Sequence, residues 1–215
     1  CKYDSYNTDA SGVTTLSTTG NNTQEYAVYR PENLGKPMSG TDAYLNLKAE
    51  FTGPPRRAGE SLLVIDHVNA VKQPRKAWQY LPGQRRVKLA PELAYDTPTA
   101  GTAGAGTYDD AFVFNGALDR YDWKLVGKRE MIVPYNEYKL VFAPGKREDV
   151  AKKGHVNPDL ERWEQHRVWV VEATLKPGKR HIYHKRTFYI DEDSWAAVAA
   201  DSYDARGQLY KGVFA

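Results

Sequence analysis

The chain has 215 residues, of which 41% are apolar and 27% charged, so it can bury a core and is not a disordered chain. Thirty Lys and Arg against 27 Asp and Glu leave a net charge of +3. The basic residues mostly have acidic neighbours, which argues against a nucleic-acid track. A single cysteine, Cys1, excludes an intramolecular disulfide and a cysteine-based metal site. Cys1 reads as a boundary residue of the chain rather than as the acylated start of a lipoprotein. No apolar run approaches the ~20 residues that a membrane-spanning helix needs. Fifteen Tyr and five Trp tilt the composition toward strands.

The first twenty-odd residues are rich in Ser, Thr, Gly and Asn and predict an irregular or edge segment. From Tyr44 to Phe51 the pattern alternates, with Leu45, Leu47, Ala49 and Phe51 on one face, as in a half-buried strand. Gly53-Pro54-Pro55 stops that strand, and SLLVIDHV from Ser61 supplies the next. Two short β-type runs around Pro82-Gly83 predict a hairpin. Residues 97–107 (TPTAGTAGAGT) have no periodicity and read as a flexible loop, a plausible lid. Further strands are expected at 121–126, 130–133 and 138–142. Asn157-Pro158-Asp159 predicts the cap and first turn of a short helix reaching Glu164. From Arg167 onward, three tight turns joining four strands predict a meander. The fold class is therefore mainly β, one antiparallel domain over residues 1–215 with one or two short helices.

Candidate chemistry is sparse. His181 and His184 would point to opposite faces of a strand and so cannot easily share a metal. His155, Glu164 and His166 gather near the expected helix, but without an HExxH pattern or a close third ligand, and a metal-dependent hydrolase using them is kept only as a second alternative. Asp109-Asp110 and Asp191-Glu192-Asp193 suggest carboxylate pairs, the second of them in a turn, where acidic residues serve turn geometry. No GxSxG, SxxK or phosphate-loop pattern occurs. No catalytic residue, metal or cofactor is therefore assigned. The informative feature is an apolar, aromatic face that includes Leu45, Leu47, Phe51, Leu63, Ile65, Trp78, Tyr80, Trp123, Leu125, Trp169, Val171 and Phe188. Such a face is either a core or an open groove for an apolar molecule.

Several strings point to a family: AWQYLPGQRRV from Ala77, FNG from Phe114, RYDWKLVGK from Arg120, VPYN from Val133, HRVWVVEATL from His166, YIDEDSW from Tyr189 and YDARG from Tyr203. Together they resemble the Gram-negative family called domain of unknown function 1329, from about Arg57 onward. The resemblance implies export to the periplasm and a curved antiparallel half-barrel like the lipoprotein carriers LolA and LolB, whose apolar face receives acyl chains. Members of that family are longer, so the chain is expected to be incomplete at both ends. The expected function is a non-enzymatic periplasmic carrier of a lipid, acyl chain or other hydrophobic molecule. An envelope interaction module, docking on a transporter or outer-membrane protein, is the alternative. Trp78, Tyr80, Trp123, Leu125, Trp169 and Val171 are the expected wall, with Arg85, Arg86 and Lys124 as contacts to a headgroup or partner.

Overall fold

The computed structural model describes residues 1–90, 93–100, 102, 104–143 and 145–215. Its regular structure is almost all antiparallel strand, in sheets that do not close into a barrel. The contacts gather into two compact units. One comprises Cys1–Asn7 and Thr15–Tyr108, the other Thr8–Thr14 and Asp109–Ala215.

The first unit carries six strands that neighbour one another in chain order: β1 (Lys2–Thr8), β2 (Thr14–Tyr26), β3 (Ala43–Gly53), β4 (Ser61–His67), β5 (Lys76–Leu81) and β6 (Arg86–Leu89). The polar N-terminal stretch forms the β1–β2 hairpin at the sheet edge. Asp9 closes its turn by accepting from the Ser11 amide and hydroxyl and the Val13 amide. Along β3 the expected alternation holds, with Leu45 and Ala49 buried. Val64, Ala77, Ala90 and Leu93 pack on that same face, joined by Leu47, Leu62 and Tyr108. The turn at Pro82-Gly83 joins β5 to β6 as predicted, with Arg85 in the left-handed region at φ 50°.

Of the loop expected over 97–107, residues 101 and 103 lie outside the described residues. Pro98 and Thr107 form an antiparallel bridge, and the Thr99 amide donates to the Gly106 carbonyl at 2.9 Å. The buried Arg57 guanidinium ties this loop down, donating to the Ala100 carbonyl and the Thr18 hydroxyl while lying 3.8 Å from the Phe51 ring centre.

The second unit is a five-stranded sheet. After β7 (Tyr121–Pro134) come two single helical turns, α1 (Tyr138–Val141) and α2 (Arg147–Val150), and a minimal hairpin of β8 (Ala151–Lys152) and β9 (His155–Val156). The meander follows as β10 (Trp163–Leu175), β11 (Lys185–Asp191), β12 (Ala197–Tyr203) and β13 (Leu209–Phe214), and β7 pairs with β10 on its far side.

Two sequence expectations need correction here. The strand expected at 138–142 is the helical turn α1, just after Asn136 has turned the chain at φ 57°. The helix expected from Asn157 is a turn. Asn157 does cap it, accepting from the Asp159 amide at 3.1 Å, but β10 then claims Trp163 and Glu164 through pairing with Pro134 and Val133. Tertiary pairing outweighs a short local helix signal.

Both faces of this sheet are packed. On one, Tyr121, Ala173, Phe188 and Ala200 are buried with Val113, flanked by Phe114 and Trp123. On the other, Val133 of β7, Val168 and Val170 of β10 and Val198 of β12 form one cluster. Because β11 and β10 separate β12 from β7 in the sheet, that cluster requires strong coiling.

Arg186 on β11 is fully buried, and its neighbours answer its charge. Its guanidinium donates to Asp109, to Asp110 and to the Val113 carbonyl, each at 3.1 Å. Lys211 supplies a second cation to Asp110 at 2.7 Å. His181 receives the Tyr183 amide proton on Nδ1, so its Nε2 carries the hydrogen that reaches Asp109 at 2.9 Å. The acidic pair Asp109-Asp110 is thus the counter-charge of a core cation. Replacing Asp109 by Ala leaves that cation under-paired in a dry site and is expected to cost about 3 kcal/mol or more, read as a shift in the denaturant midpoint.

Candidate functional site: an apolar groove on the first sheet

Strand alternation puts Leu45, Leu47, Ala49, Val64 and Ala77 on the core face of the first sheet. It necessarily turns their neighbours to the other face. These are Lys48 on β3, Ser61, Leu63 and Ile65 on β4, Trp78 and Tyr80 on β5, and Val87 and Leu89 on β6. The apolar residues of the sequence therefore divide between two faces, with Leu45 and Leu47 opposite Leu63, Ile65, Trp78 and Tyr80.

The register aligns the groove side chains in rows across the strands. Lys48 stands opposite Leu63, Leu63 opposite Trp78, and Trp78 opposite Leu89. The next row runs Glu50, Ser61, Tyr80 and Val87. Lys48, Ser61, Leu63, Ile65, Trp78, Tyr80 and Val87, with Leu62 between Ser61 and Leu63, line an open groove of about 410 Å³ whose lining is almost wholly carbon. That size lies within the range of small-molecule sites. The floor is exposed, Leu63 retaining 41% and Val87 64% of its accessible surface, and Leu89, beside Trp78 on β6, retains 58%. Beyond β4 the same face turns polar, with Asn46, Lys48 and Glu50 on β3. A second depression of about 690 Å³, lined by Asn7, Thr15, Leu16, Ser17, Pro54, Pro55 and Arg56, has a mixed lining, more polar than that of the groove.

Of the six expected wall residues, Trp78 and Tyr80 lie in this groove. The other four belong to the second unit. Trp123 sits in its core, stacked on Phe188 at 5.7 Å with its indole N–H donated to the Leu118 carbonyl, and Val171 packs beside it. Trp169 lies under the Lys128 ammonium at 4.2 Å, and Leu125 is exposed on the edge strand β7. Among the expected headgroup contacts, Arg86 points away from the groove side of β6, Arg85 is in the turn, and Lys124 stands opposite Glu172. The cation that does line the groove is Lys48. Nothing in its immediate sequence marks it, because the register that sets it against Leu63 is a long-range property.

The histidine and carboxylate cluster has a structural explanation. His166 Nδ1 lies 2.9 Å from Asp191 Oδ1, and the ring stacks on Tyr135 with 4.1 Å between centres. The other Asp191 oxygen accepts from the Ser194 amide and hydroxyl, which fixes the β11–β12 turn. Ser194 therefore donates to the carboxylate and is not aligned with the imidazole as a nucleophile would be. Glu164 comes within 3.7 Å of His166, whereas His155 sits on β9 with its ring against the neighbouring Val156 carbonyl. Asp193 approaches His166 and Asp191 from the exposed side of the turn.

Burial opposes ionisation of Asp191, but the Ser194 and His166 hydrogen bonds outweigh it and hold its carboxyl below the usual 3.8. A depressed carboxylate contributes stability above its unfolded pKa and loses it as pH falls through the folded value. Below about pH 3.8 the clasp should therefore weaken. The Asp191→Asn variant should show a flatter acid limb in thermal melts across pH, along with a lower melting point at neutrality.

The sheets are antiparallel and not closed into a barrel, and the first carries an apolar groove. Likeness to solved structures agrees at the level of fold. A Vibrio parahaemolyticus domain provisionally described as an outer membrane lipoprotein-sorting protein superposes with a TM-score of 0.53 at 15% identity, covering 94% of this chain and 63% of that one. A DUF1329 family protein from Desulfovibrio piger gives 0.52 at 16% identity, covering 94% and 64%. The family model for the protein of unknown function DUF1329 matches residues 1–215, and the chain belongs to that family. PA3922, an uncharacterized protein of Pseudomonas aeruginosa, is 49% identical over 190 residues, which is 88% of this chain and 40% of PA3922. The chain thus spans less than half the length of that curated relative.

Proposed function

We propose that the protein is a non-enzymatic carrier in the periplasm that shields a lipid, acyl chain or other hydrophobic molecule in the groove between β3 and β6. The observation that carries this reading is the floor of Leu63, Ile65, Trp78, Tyr80 and Val87, turned outward from a sheet whose other face already has a core. Exposed apolar area of this kind is a standing liability unless something covers it. Capture draws on roughly 25 cal/mol per Å² of apolar surface removed from water, and needs few polar contacts. The fold shared with lipoprotein-sorting and DUF1329 domains supports the reading by analogy of architecture.

A second reading, docking of an envelope protein, draws on a different surface. The edge strand β13 exposes Leu209, Tyr210 and Phe214, and edge strands with apolar side chains invite pairing.

Native mass spectrometry with lipid extraction of the purified full-length protein separates the two. The carrier reading expects a co-purifying apolar molecule and uptake of a fluorescent acyl probe. Trp78→Ala and Leu63→Glu should each lower probe affinity by about tenfold or more while leaving the thermal midpoint nearly unchanged, since neither side chain belongs to the core. Absence of both ligand and uptake would leave the groove without a carrier role.

A further inference from the structure

The groove has a polarity along one direction, and that direction selects a class of ligand. Reading across the strands, the row Lys48, Leu63, Trp78, Leu89 places a cation at one end and three apolar side chains behind it. The row crosses three strand spacings, roughly 14 Å, the length of an extended medium-chain acyl group. Its far end is the edge strand β6, where Leu89 and Val87 are largely exposed.

Lys48 is positioned for a head rather than a tail. Its stem lies along the groove lining, and its ammonium is held 2.8 Å from Glu50 at the end of the adjacent row. One carboxylate engages part of a group with three donors, which leaves donor capacity for an incoming anion. Glu50 repels an anion from the second row, so the favourable approach is along the first. Arg86 and Lys88 of β6 alternate to the opposite face, and Lys76 of β5, which shares the groove face opposite Ile65, stands in the row that begins at Asn46 and not in the row of Lys48.

We propose that the groove takes a single-chain amphiphile with an anionic head, a carboxylate or a phosphate monoester, lying across the strands with the head at Lys48 and the chain over Leu63, Trp78 and Leu89. This rests on the carrier reading and goes beyond it by fixing headgroup charge, chain number and orientation. A single chain follows from the width available. The next row is apolar at Tyr80 and Val87 but ends in Ser61 and Glu50, so a second parallel chain would end against a carboxylate.

The test compares dodecanoate, dodecyl phosphate and dodecanol by titration calorimetry on the purified protein, with inorganic phosphate as the head alone. The expected result is tighter binding of both anions than of dodecanol, and no measurable binding of phosphate. Lys48→Met should weaken the two anions by about fivefold, the scale of one exposed charge pair, and leave dodecanol unchanged. Lys88→Met, on the other face of the edge strand, should change none of the three. Dodecanol binding as tightly as the anions, or Lys48→Met and Lys88→Met weakening the anions equally, overturns the headgroup assignment while the carrier reading stands. If no chain-bearing probe binds at all, the carrier reading fails and this inference fails with it. Lys48 is exposed and outside the core, so misfolding does not confound the variant.

Discussion

The first sheet depends on the two-residue period of its strands. In β3 that period separates a core face of Leu45, Leu47 and Ala49 from a polar face of Asn46, Lys48 and Glu50. In β4 and β5 the same period separates two faces that are both apolar, Val64 and Ala77 inward, Leu63, Ile65, Trp78 and Tyr80 outward. Such doubly apolar strands are expected where a sheet is covered on both sides. Here the outer face is an open groove, so the energetic demand for a cover is written into the sequence, and the polar strand β3 marks where that demand stops.

The second unit solves a different problem. Its sheet is packed on both faces, by Val113 and Phe114 over Tyr121 and Phe188 on one side and by the valine cluster in the coiled concavity on the other. It also buries Arg186, a cation that would be very costly in isolation. Asp109, Asp110, the Val113 carbonyl and the faces of Phe114, Tyr183 and Phe188, each 5.0 to 5.2 Å from its guanidinium carbon, make that burial tolerable. The network ties the segment following residue 108 to β11, while Lys211 ties it to β13. Asp109, Asp110, His181, Arg186 and Lys211 are thus engaged in holding this unit together.

This bears on how much was legible in the sequence. Alternation and turn residues were enough for β3, for the Pro82-Gly83 hairpin and for the meander β10–β13, because those signals are local. The β1–β2 hairpin was obscured by its Ser, Thr and Asn content. The helical turn α1 was obscured by apolar residues that look strand-like over so short a run. Aromatic residues identify themselves, but that Trp78 lies on the groove face while Trp123 packs on Phe114 depends on pairing register and on which segment folds over which face. Lys48 carried no local mark at all. Its meaning comes from residues 15, 30 and 41 positions away, set in line by three strand pairings.

On β6 the cationic residues Arg86 and Lys88 alternate away from the groove face. Arg85, Arg86 and Lys88 sit on a four-residue edge strand and its turn, where charge is the usual device against edge-to-edge pairing. On that strand Val87 and Leu89 alternate with Arg86 and Lys88, so β6 presents carbon to the groove and charge to the opposite face. An edge built this way resists pairing with another sheet while keeping its apolar side available to a small molecule. A strand recruited mainly for protein docking would gain more by keeping its backbone unguarded. The pattern of β6 therefore favours a small apolar occupant over a protein one on this face, and leaves β13, whose edge carries Leu209, Tyr210 and Phe214, as the surface better suited to a partner.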